Sequence, residues 1–192
     1  MHTPRRTGTL VRARFVLVSV CAASLLAASL LVQRYDSYAR QDELAGMLSD
    51  VERAEHVMAV WSANMSSYLG ACQQDPSCDR TALNDSLESE ASRASAALRP
   101  HQQAIRDVWV APWHSSLRSA RDAYLDHLGS WLAYLDEVSN DGGVVSSSPL
   151  VEEIASSFTV ACAALQSVSG SKQYPNRSSN NHARSLAVCA GT

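Results

Sequence analysis

The feature that most constrains this chain is an uncharged apolar run of eighteen residues, Phe15 to Val32, with the sequence FVLVSVCAASLLAASLLV. At about 1.5 Å per residue, a helix of that length reaches roughly 27 Å, which is close to the hydrocarbon thickness of a bilayer. The run therefore predicts a single transmembrane helix over 15–32 that serves as a signal anchor.

Charge on the two sides of this run predicts the topology. Residues 1–14 carry four arginines and no acidic residue, so the positive-inside bias makes them a short basic cytoplasmic tail. Residues 33–192 then form the extracytoplasmic domain of a single-pass cell-membrane protein. Fifteen arginines against one lysine, together with abundant alanine, indicate GC-rich bacterial coding and hence a bacterial envelope.

The same run has a second interpretation, a signal peptide whose cleavage would release a secreted protein. It is longer than the usual apolar region of a signal peptide, and no well-placed small-residue cleavage site follows its end. A lipoprotein signal at Cys21 is less favoured, because Val20 stands where a small residue is needed. All three interpretations place residues 33–192 across the membrane.

The charge of the extracytoplasmic part narrows the range of partners. Its 160 residues suit one domain and carry twelve basic and nineteen acidic residues, a formal net charge of −7. Nucleic acid and anionic lipid headgroups are poor partners for such a surface. We predict a protein partner, or self-association through helices, and no nucleic acid.

Four cysteines lie outside the apolar run, and an even number in an oxidising compartment favours disulfides. Of the three connectivities, we favour Cys72 with Cys78, across a short loop, and Cys162 with Cys189, which would tie the tail to the last long helix. A metal site is the alternative, but five residues separate Cys72 from Cys78, unlike the spacing of zinc ribbons.

Helical periodicity continues after the apolar run. Apolar residues recur every three or four positions along one helix of about 35 residues from Gln33, which is free to continue directly from the membrane helix. The members of this stripe are Leu44, Met47, Val51, Ala54, Met58, Trp61, Met65, Tyr68 and Leu69. The segment 70–77 contains Gly and Pro and predicts the first turn.

Three further helical segments follow. A second helix is predicted from Arg80 to about Leu98, with Asp79 as its N-cap and Pro100 ending it. A third region starts near His101 and is predicted either to kink at Pro112 or to begin a new helix at Pro112 or Trp113.

The last helices are marked by proline, glycine and cysteine. The fourth helix is predicted to begin at Pro149, after Ser148 as N-cap, and to stop at Gly170. Residues 171–181 are predicted to be irregular and 183–190 to form a short helix. The fold class is therefore all-α, an antiparallel bundle of about four helices with a short C-terminal helix, and its heptad-like spacing also fits a coiled coil.

Catalytic motifs are absent from the sequence, so we predict no enzyme and no cofactor. The third region is the most aromatic part of the chain. Trp109, Trp113, Tyr124 and Trp131 are its candidate contact or pocket residues, because pockets between bundle helices are built from such side chains. Core packing is the alternative for these four residues.

Two pairs of side chains are candidate metal ligands. Glu52 and His56 lie one turn apart, as do Asp122 and Asp126. Both spacings are also common on solvated helix faces, so we predict no metal site. The sequence thus favours a membrane protein whose helical domain binds a partner or senses a ligand, and the alternative is an envelope protein that binds a small molecule, haem or metal.

Intact mass spectrometry under non-reducing conditions checks these expectations on protein extracted from its own membrane. We expect an uncleaved chain whose mass is short by four hydrogens, because two disulfides remove four thiol protons. Four free thiols would contradict the disulfides, and loss of the N-terminal segment would select the secreted alternative.

Overall fold

The computed structural model describes residues 7–141, 149–170 and 175–190, with side chains for 24–140, 149–170 and 178–190, and these residues form five helices. The helices are α1 (Thr7–Gln74), α2 (Arg80–Asp107), α3 (Ser115–Asp141), α4 (Pro149–Ser169) and α5 (Pro175–Ala190). The described residues contain no strand, so the all-α prediction is confirmed.

The chain divides into two compact units, Met1–Ala39 and Arg40–Thr192. The described part of the first unit belongs to α1 and exposes large apolar side chains: Leu25, Leu26, Leu30 and Leu31 are each 60–72% exposed. Among the residues whose side chains are described, no helix offers a stretch that is long and apolar enough to cross a membrane. Residues 15–23 of the predicted span over 15–32 belong to the part of α1 whose side chains the structure does not describe.

The second unit is a helical bundle in which successive helices alternate in direction. Between α3 and α4, His127 contacts Ser157 while Ser130 contacts Glu153, so the two helices run antiparallel. The same reversal relates α4 to α5. Because the directions alternate, α5 runs parallel to the second-unit part of α1, and the side chains of Asn181 and Gln41 hydrogen bond between them.

The apolar stripe of α1 is buried along most of its length. Its members from Leu44 to Trp61 are at most 3% exposed, as the periodicity predicts, whereas Tyr68 near the end of the helix is 38% exposed. The facing core comes largely from α3, whose periodic residues are also buried. These are Leu117, Ala120, Tyr124, Leu128, Leu135 and Val138.

The first turn lies later than predicted. Helix α1 continues through Gly70 and ends at Gln74, because a glycine costs a helix only about 1 kcal/mol whereas the residue before a proline disfavours helical geometry. Asp75 precedes Pro76 and accepts the backbone N–H of Ser77 at 2.8 Å. Helix α2 then begins as predicted, since Asp79 accepts the backbone N–H groups of its first turn.

The prediction that Pro100 ends the second helix is wrong, because α2 continues to Asp107. Pro100 cannot donate to the carbonyl of Ala96, but both residues are exposed, so water can hydrate that carbonyl. Burial of Ile105 one turn further along favours continuation. His101 consequently belongs to α2, where its Nδ1 lies 3.4 Å from an oxygen of Asp50 on α1.

The break around Pro112 is a loop over 108–114, and α3 starts at Ser115, a little later than predicted. A buried contact holds this loop against α1. The Nδ1 of His114 lies 2.7 Å from Glu43 Oε2, and the backbone N–H of Ala111 donates to the same carboxylate at 3.4 Å.

Both predicted disulfides are present. Cys72 and Cys78 close the turn after α1, with their Cα atoms 5.2 Å apart, and Cys162 and Cys189 join α4 to α5 at 5.7 Å. Helix α4 begins at Pro149 and stops before Gly170 as predicted, while Ser148 lies outside the described residues.

The irregular segment predicted over 171–181 is wrong from Pro175 onward, where α5 starts. A proline suits the first position of a helix, since its missing N–H would have no helical partner there. Further along α5, Asn181 is buried and donates to the backbone carbonyl of Gln41 at 3.0 Å.

Replacing Pro100 with alanine should stabilise the protein. The change restores the hydrogen bond to the Ala96 carbonyl and removes a cost of about 3 kcal/mol to the folded state. Loss of the proline also raises the conformational entropy of the unfolded chain, which lowers stability by up to about 1 kcal/mol. We expect a gain of about 2 kcal/mol, or a Tm higher by roughly 4–8 °C in thermal unfolding. Pro149→Ala, at the first position of α4, is the control and should shift Tm little. An unchanged or lower Tm for Pro100→Ala would contradict this explanation.

Candidate functional site

The second unit contains a cavity of about 1020 Å³ that is lined by α1, α3, α4 and α5. This volume lies at the upper end of the range for small-molecule sites. Most of its lining is apolar. The apolar and aromatic lining residues are Met58, Ala59, Trp61, Met65, Trp131, Tyr134, Val151, Ile154, Ala155, Phe158, Ala187 and Val188.

Three aromatic rings of the lining form a mutually packed group. The ring centroids of Trp61 and Trp131 are 5.9 Å apart, and Tyr134 lies 5.5 Å from Trp61 and 6.1 Å from Trp131. All three pairs are edge-to-face, an arrangement that fixes the ring orientations. The indole N–H of Trp61 is buried and has no hydrogen-bond acceptor among the described residues.

A carboxyl group lies in this apolar surrounding. Glu55 projects from α1 with a side chain 15% exposed, and Tyr124 of α3, which is fully buried, donates its hydroxyl to Glu55 Oε1 at 2.6 Å. Burial raises the pKa of Glu55 from 4.5 to about 7, and the hydrogen bond from Tyr124 lowers it by less. Burial, with the neighbouring Glu55, also raises the pKa of Tyr124 well above its usual value.

An imidazole lies beside this carboxyl group. Ser157 donates its hydroxyl to the carbonyl of Ile154 at 3.0 Å, so it accepts from His127 Nδ1, which is 3.1 Å away. This arrangement assigns the ring proton to Nδ1 and the lone pair to Nε2. Nε2 is buried and has no hydrogen-bond partner among the described residues, although Glu55 Oε1 is 3.9 Å from it.

Burial acts on the two groups in the same sense, because it favours the uncharged form of each. It lowers the pKa of His127 from 6.5 to about 4, against a smaller opposite effect of the hydrogen bond to Ile154. Near neutral pH the cavity therefore contains a neutral imidazole with a free lone pair beside a carboxyl group that is close to its midpoint. Such a pair can accept hydrogen bonds from a ligand and exchange one proton with it.

The candidate residues from the sequence lie in two places. Trp131 lines the cavity, and Tyr124 lies behind it and holds Glu55. Trp109 and Trp113 are not among the lining residues, and each is 69% exposed on the loop after α2. These two candidate residues are thus exposed near Pro112 and belong neither to the core nor to the cavity lining.

Sequence reasoning missed Glu55 and His127 as members of one site. A signal was present, because His127 lies three residues after Tyr124 and four before Trp131, on the apolar stripe of α3. Glu55 likewise lies three residues before Met58. A titratable residue at a stripe position indicates burial, but its partner on another helix cannot be read from periodicity.

Residues of the two candidate metal-ligand pairs make other contacts. Glu52 forms an ion pair with Arg184 of α5 at 2.7 Å, and Asp122 with its neighbour Arg121 at 3.1 Å. His56 lines the cavity. Over the described parts of the chain, no group of three or more His, Cys, Asp or Glu side chains could hold a metal ion.

Comparison with known proteins finds no match to this chain among protein families, curated proteins or solved structures.

Glu55→Gln should stabilise the protein at alkaline pH. The pKa of Glu55 is 4.5 in the unfolded chain and about 7 in the folded protein, where burial opposes ionisation. The contribution of Glu55 to the stability of the wild type is therefore lost progressively as the pH rises from 4.5 to about 7. A rise of the pKa from 4.5 to about 7 corresponds to about 3 kcal/mol. We expect the variant to exceed wild type by up to that amount at pH 8 and to match it near pH 4.5, in chemical unfolding.

His127 provides a second check in the same experiment. Folding favours the neutral form of His127, so the contribution of this residue to the free energy of unfolding is lost as the pH falls from 6.5 to about 4. Glu55 and His127 thus oppose each other between pH 4.5 and 6.5, and Glu55→Gln should show a stability that rises with pH there. Glu88→Gln on α2 removes the same charge outside the cavity and should follow wild type. Equal profiles for all three proteins would contradict the burial of Glu55.

Proposed function

We propose that this chain is a single-pass membrane protein whose extracytoplasmic helical bundle binds a small ligand, and that it acts by sensing or binding rather than by catalysis. The observation that carries the proposal is the apolar cavity lined in part by His127, whose buried Nε2 has no hydrogen-bond partner among the described side chains. A buried polar atom without a partner costs free energy, and a ligand that hydrogen bonds to it removes that cost.

The composition of the cavity supports a ligand of moderate size. Its volume suits a drug-sized molecule, and its lining combines aromatic and aliphatic side chains with a few polar groups that can orient a ligand. Met58 and Met65 add flexible side chains that adapt to the shape of what they contact. A bundle core without a ligand role would gain stability from filling such a volume.

The N-terminal unit supports attachment to the membrane. Its basic residues and the uncharged run over 15–32 follow the pattern of a signal anchor. The described leucines of this unit are exposed, and an apolar environment such as lipid would cover them. The two disulfides of the bundle fit an oxidising compartment outside the cytoplasm.

Haem or metal binding in the same cavity is the second candidate function. It is favoured by one observation, the free lone pair of a neutral imidazole at His127 Nε2, which is the form that ligates metals. Met58 and Met65 are thioethers on the same lining, and soft metals accept such ligands. Visible absorbance or bound metal in the purified full chain would select this candidate.

Filling the cavity should abolish ligand binding. Ala155 lies on α4 at the cavity, is exposed, and leaves room for a larger side chain, so Ala155→Trp should occupy the volume without disturbing the core. The probe is 2-phenylethanol, measured by isothermal titration calorimetry on the full chain in lipid nanodiscs, with empty nanodiscs as blank. We expect saturable binding to wild type and at least a tenfold loss in the variant, since the probe's apolar contacts are lost.

Ala163→Trp is the matched control, because Ala163 is exposed on α4 but does not line the cavity. It should bind the probe like wild type. Equal binding by both variants would show that the probe binds outside the cavity. The proposed function is contradicted if wild type binds neither 2-phenylethanol nor its charged analogues of the same shape.

A further inference from the structure

We infer that the ligand of this cavity is an organic ammonium ion, a protonated primary or secondary amine on an apolar, ring-sized body. The inference rests on the proposed ligand-binding function and adds the chemical class of the ligand. In it the ammonium group lies between the carboxylate of Glu55 and Nε2 of His127, and the apolar body lies against the aromatic lining.

Two residues of the cavity lining, Glu55 and His127, carry hydrogen-bond acceptors. His127 has its proton on Nδ1, where Ser157 accepts it, so Nε2 offers only a lone pair. The ionised carboxylate of Glu55 also only accepts, and it already holds the hydroxyl proton of Tyr124. A ligand that satisfies both groups must therefore bring hydrogen-bond donors.

The spacing of these acceptors fits one nitrogen. Glu55 Oε1 and His127 Nε2 are 3.9 Å apart. One nitrogen can lie about 2.8 Å from both atoms, which is the length of a charge-assisted hydrogen bond, with the two bonds diverging at roughly a right angle. A primary or secondary ammonium has the two N–H groups that this geometry needs, and a hydroxyl group has only one.

The aromatic lining favours the same charge. Trp61, Trp131, Tyr134 and Phe158 all line the cavity, and the ring of Phe158 lies 5.0 Å from that of His127. Aromatic faces attract cations, and tryptophan is the strongest of them. An anionic ligand would meet the same rings and the carboxylate of Glu55 with repulsion.

The charge balance of the site is completed by a cation. Among the described side chains, the polar contacts of Glu55 are the hydroxyl of Tyr124 and the neutral imidazole of His127, while Arg184 of α5 is paired with Glu52. The extracytoplasmic part as a whole carries a formal charge of −7, twelve basic against nineteen acidic residues, which raises the local concentration of cations. A bound ammonium supplies the counter-charge that the burial of Glu55 lacks.

Three probes of one shape test the inference on the full chain in nanodiscs by calorimetry. They are phenethylammonium chloride, neutral 2-phenylethanol and sodium 3-phenylpropionate. At pH 8 we expect the cation to bind on the order of tenfold more tightly than the alcohol and the anion to bind least. Glu55→Gln should remove the advantage of the cation and leave the alcohol within about twofold, whereas Glu88→Gln should change neither.

The pH dependence gives a second readout. Among the described side chains, the titratable and charged groups at or beside the cavity are Glu52, Glu55 and His56 on α1, Tyr124, His127 and Tyr134 on α3 and Arg184 on α5, while the lining residues of α4 are uncharged. Because Glu55 gains its charge near pH 7, affinity for phenethylammonium should rise about tenfold from pH 6 to pH 8. Glu55→Gln should flatten this profile.

The outcomes separate the inference from the function on which it rests. If 2-phenylethanol binds at least as well as phenethylammonium, or if Glu55→Gln weakens both equally, the ammonium inference is overturned and the ligand-binding function stands. If no probe binds to wild type, both fall.

Discussion

The structure depends on the apolar stripe that α1 presents to the second unit, from Leu44 to Trp61. These side chains are almost fully buried, and each large one contributes about 1.5–3 kcal/mol to the driving force for folding. Helices α2, α3 and α5 all reach α1 with polar contacts on the flanks of this stripe, through His101, Tyr124 and Asn181. Hydrophobic burial thus brings the helices together, and the polar contacts fix their register.

The chemistry of the cavity also follows from the burial of the apolar stripe of α1. Glu55 lies on the border of the stripe, so packing of α3 against α1 removes most of its water and brings the imidazole of His127 to it. Burial disfavours the charged form of both the carboxyl group and the imidazole. A pair of the same residues on the surface would titrate near the usual pKa values.

The architecture could be predicted from the sequence because periodicity and cysteine pairing are local or nearly local signals. The stripe of α1, the N-cap at Asp79 and the start of α4 at Pro149 were predicted correctly. Element ends were less predictable: Pro100 does not end α2, because burial of Ile105 outweighs the lost hydrogen bond. Only Trp131 and Tyr124 of the site could be predicted from the sequence. The proximity of Glu55 to His127, which are 72 positions apart in sequence, depends on how α1 and α3 are rotated about their axes.

The disulfide between Cys162 and Cys189 has a mechanical consequence. It joins α4 to α5 at Cys162, three residues after the last lining residue of α4, and hydrogen bonds between Ser169 and the side chains of His182 and Ser185 join the C-terminal end of α4 to α5. The part of α4 from Cys162 to Ser169 is thereby coupled to α5, whereas the lining residues of α4, from Val151 to Thr159, precede this tie. A displacement of the C-terminal part of α4 would carry α5 with it, including Arg184 and its ion pair with Glu52 on α1. The N-terminal half of α4, which lines the cavity, is free of that covalent constraint.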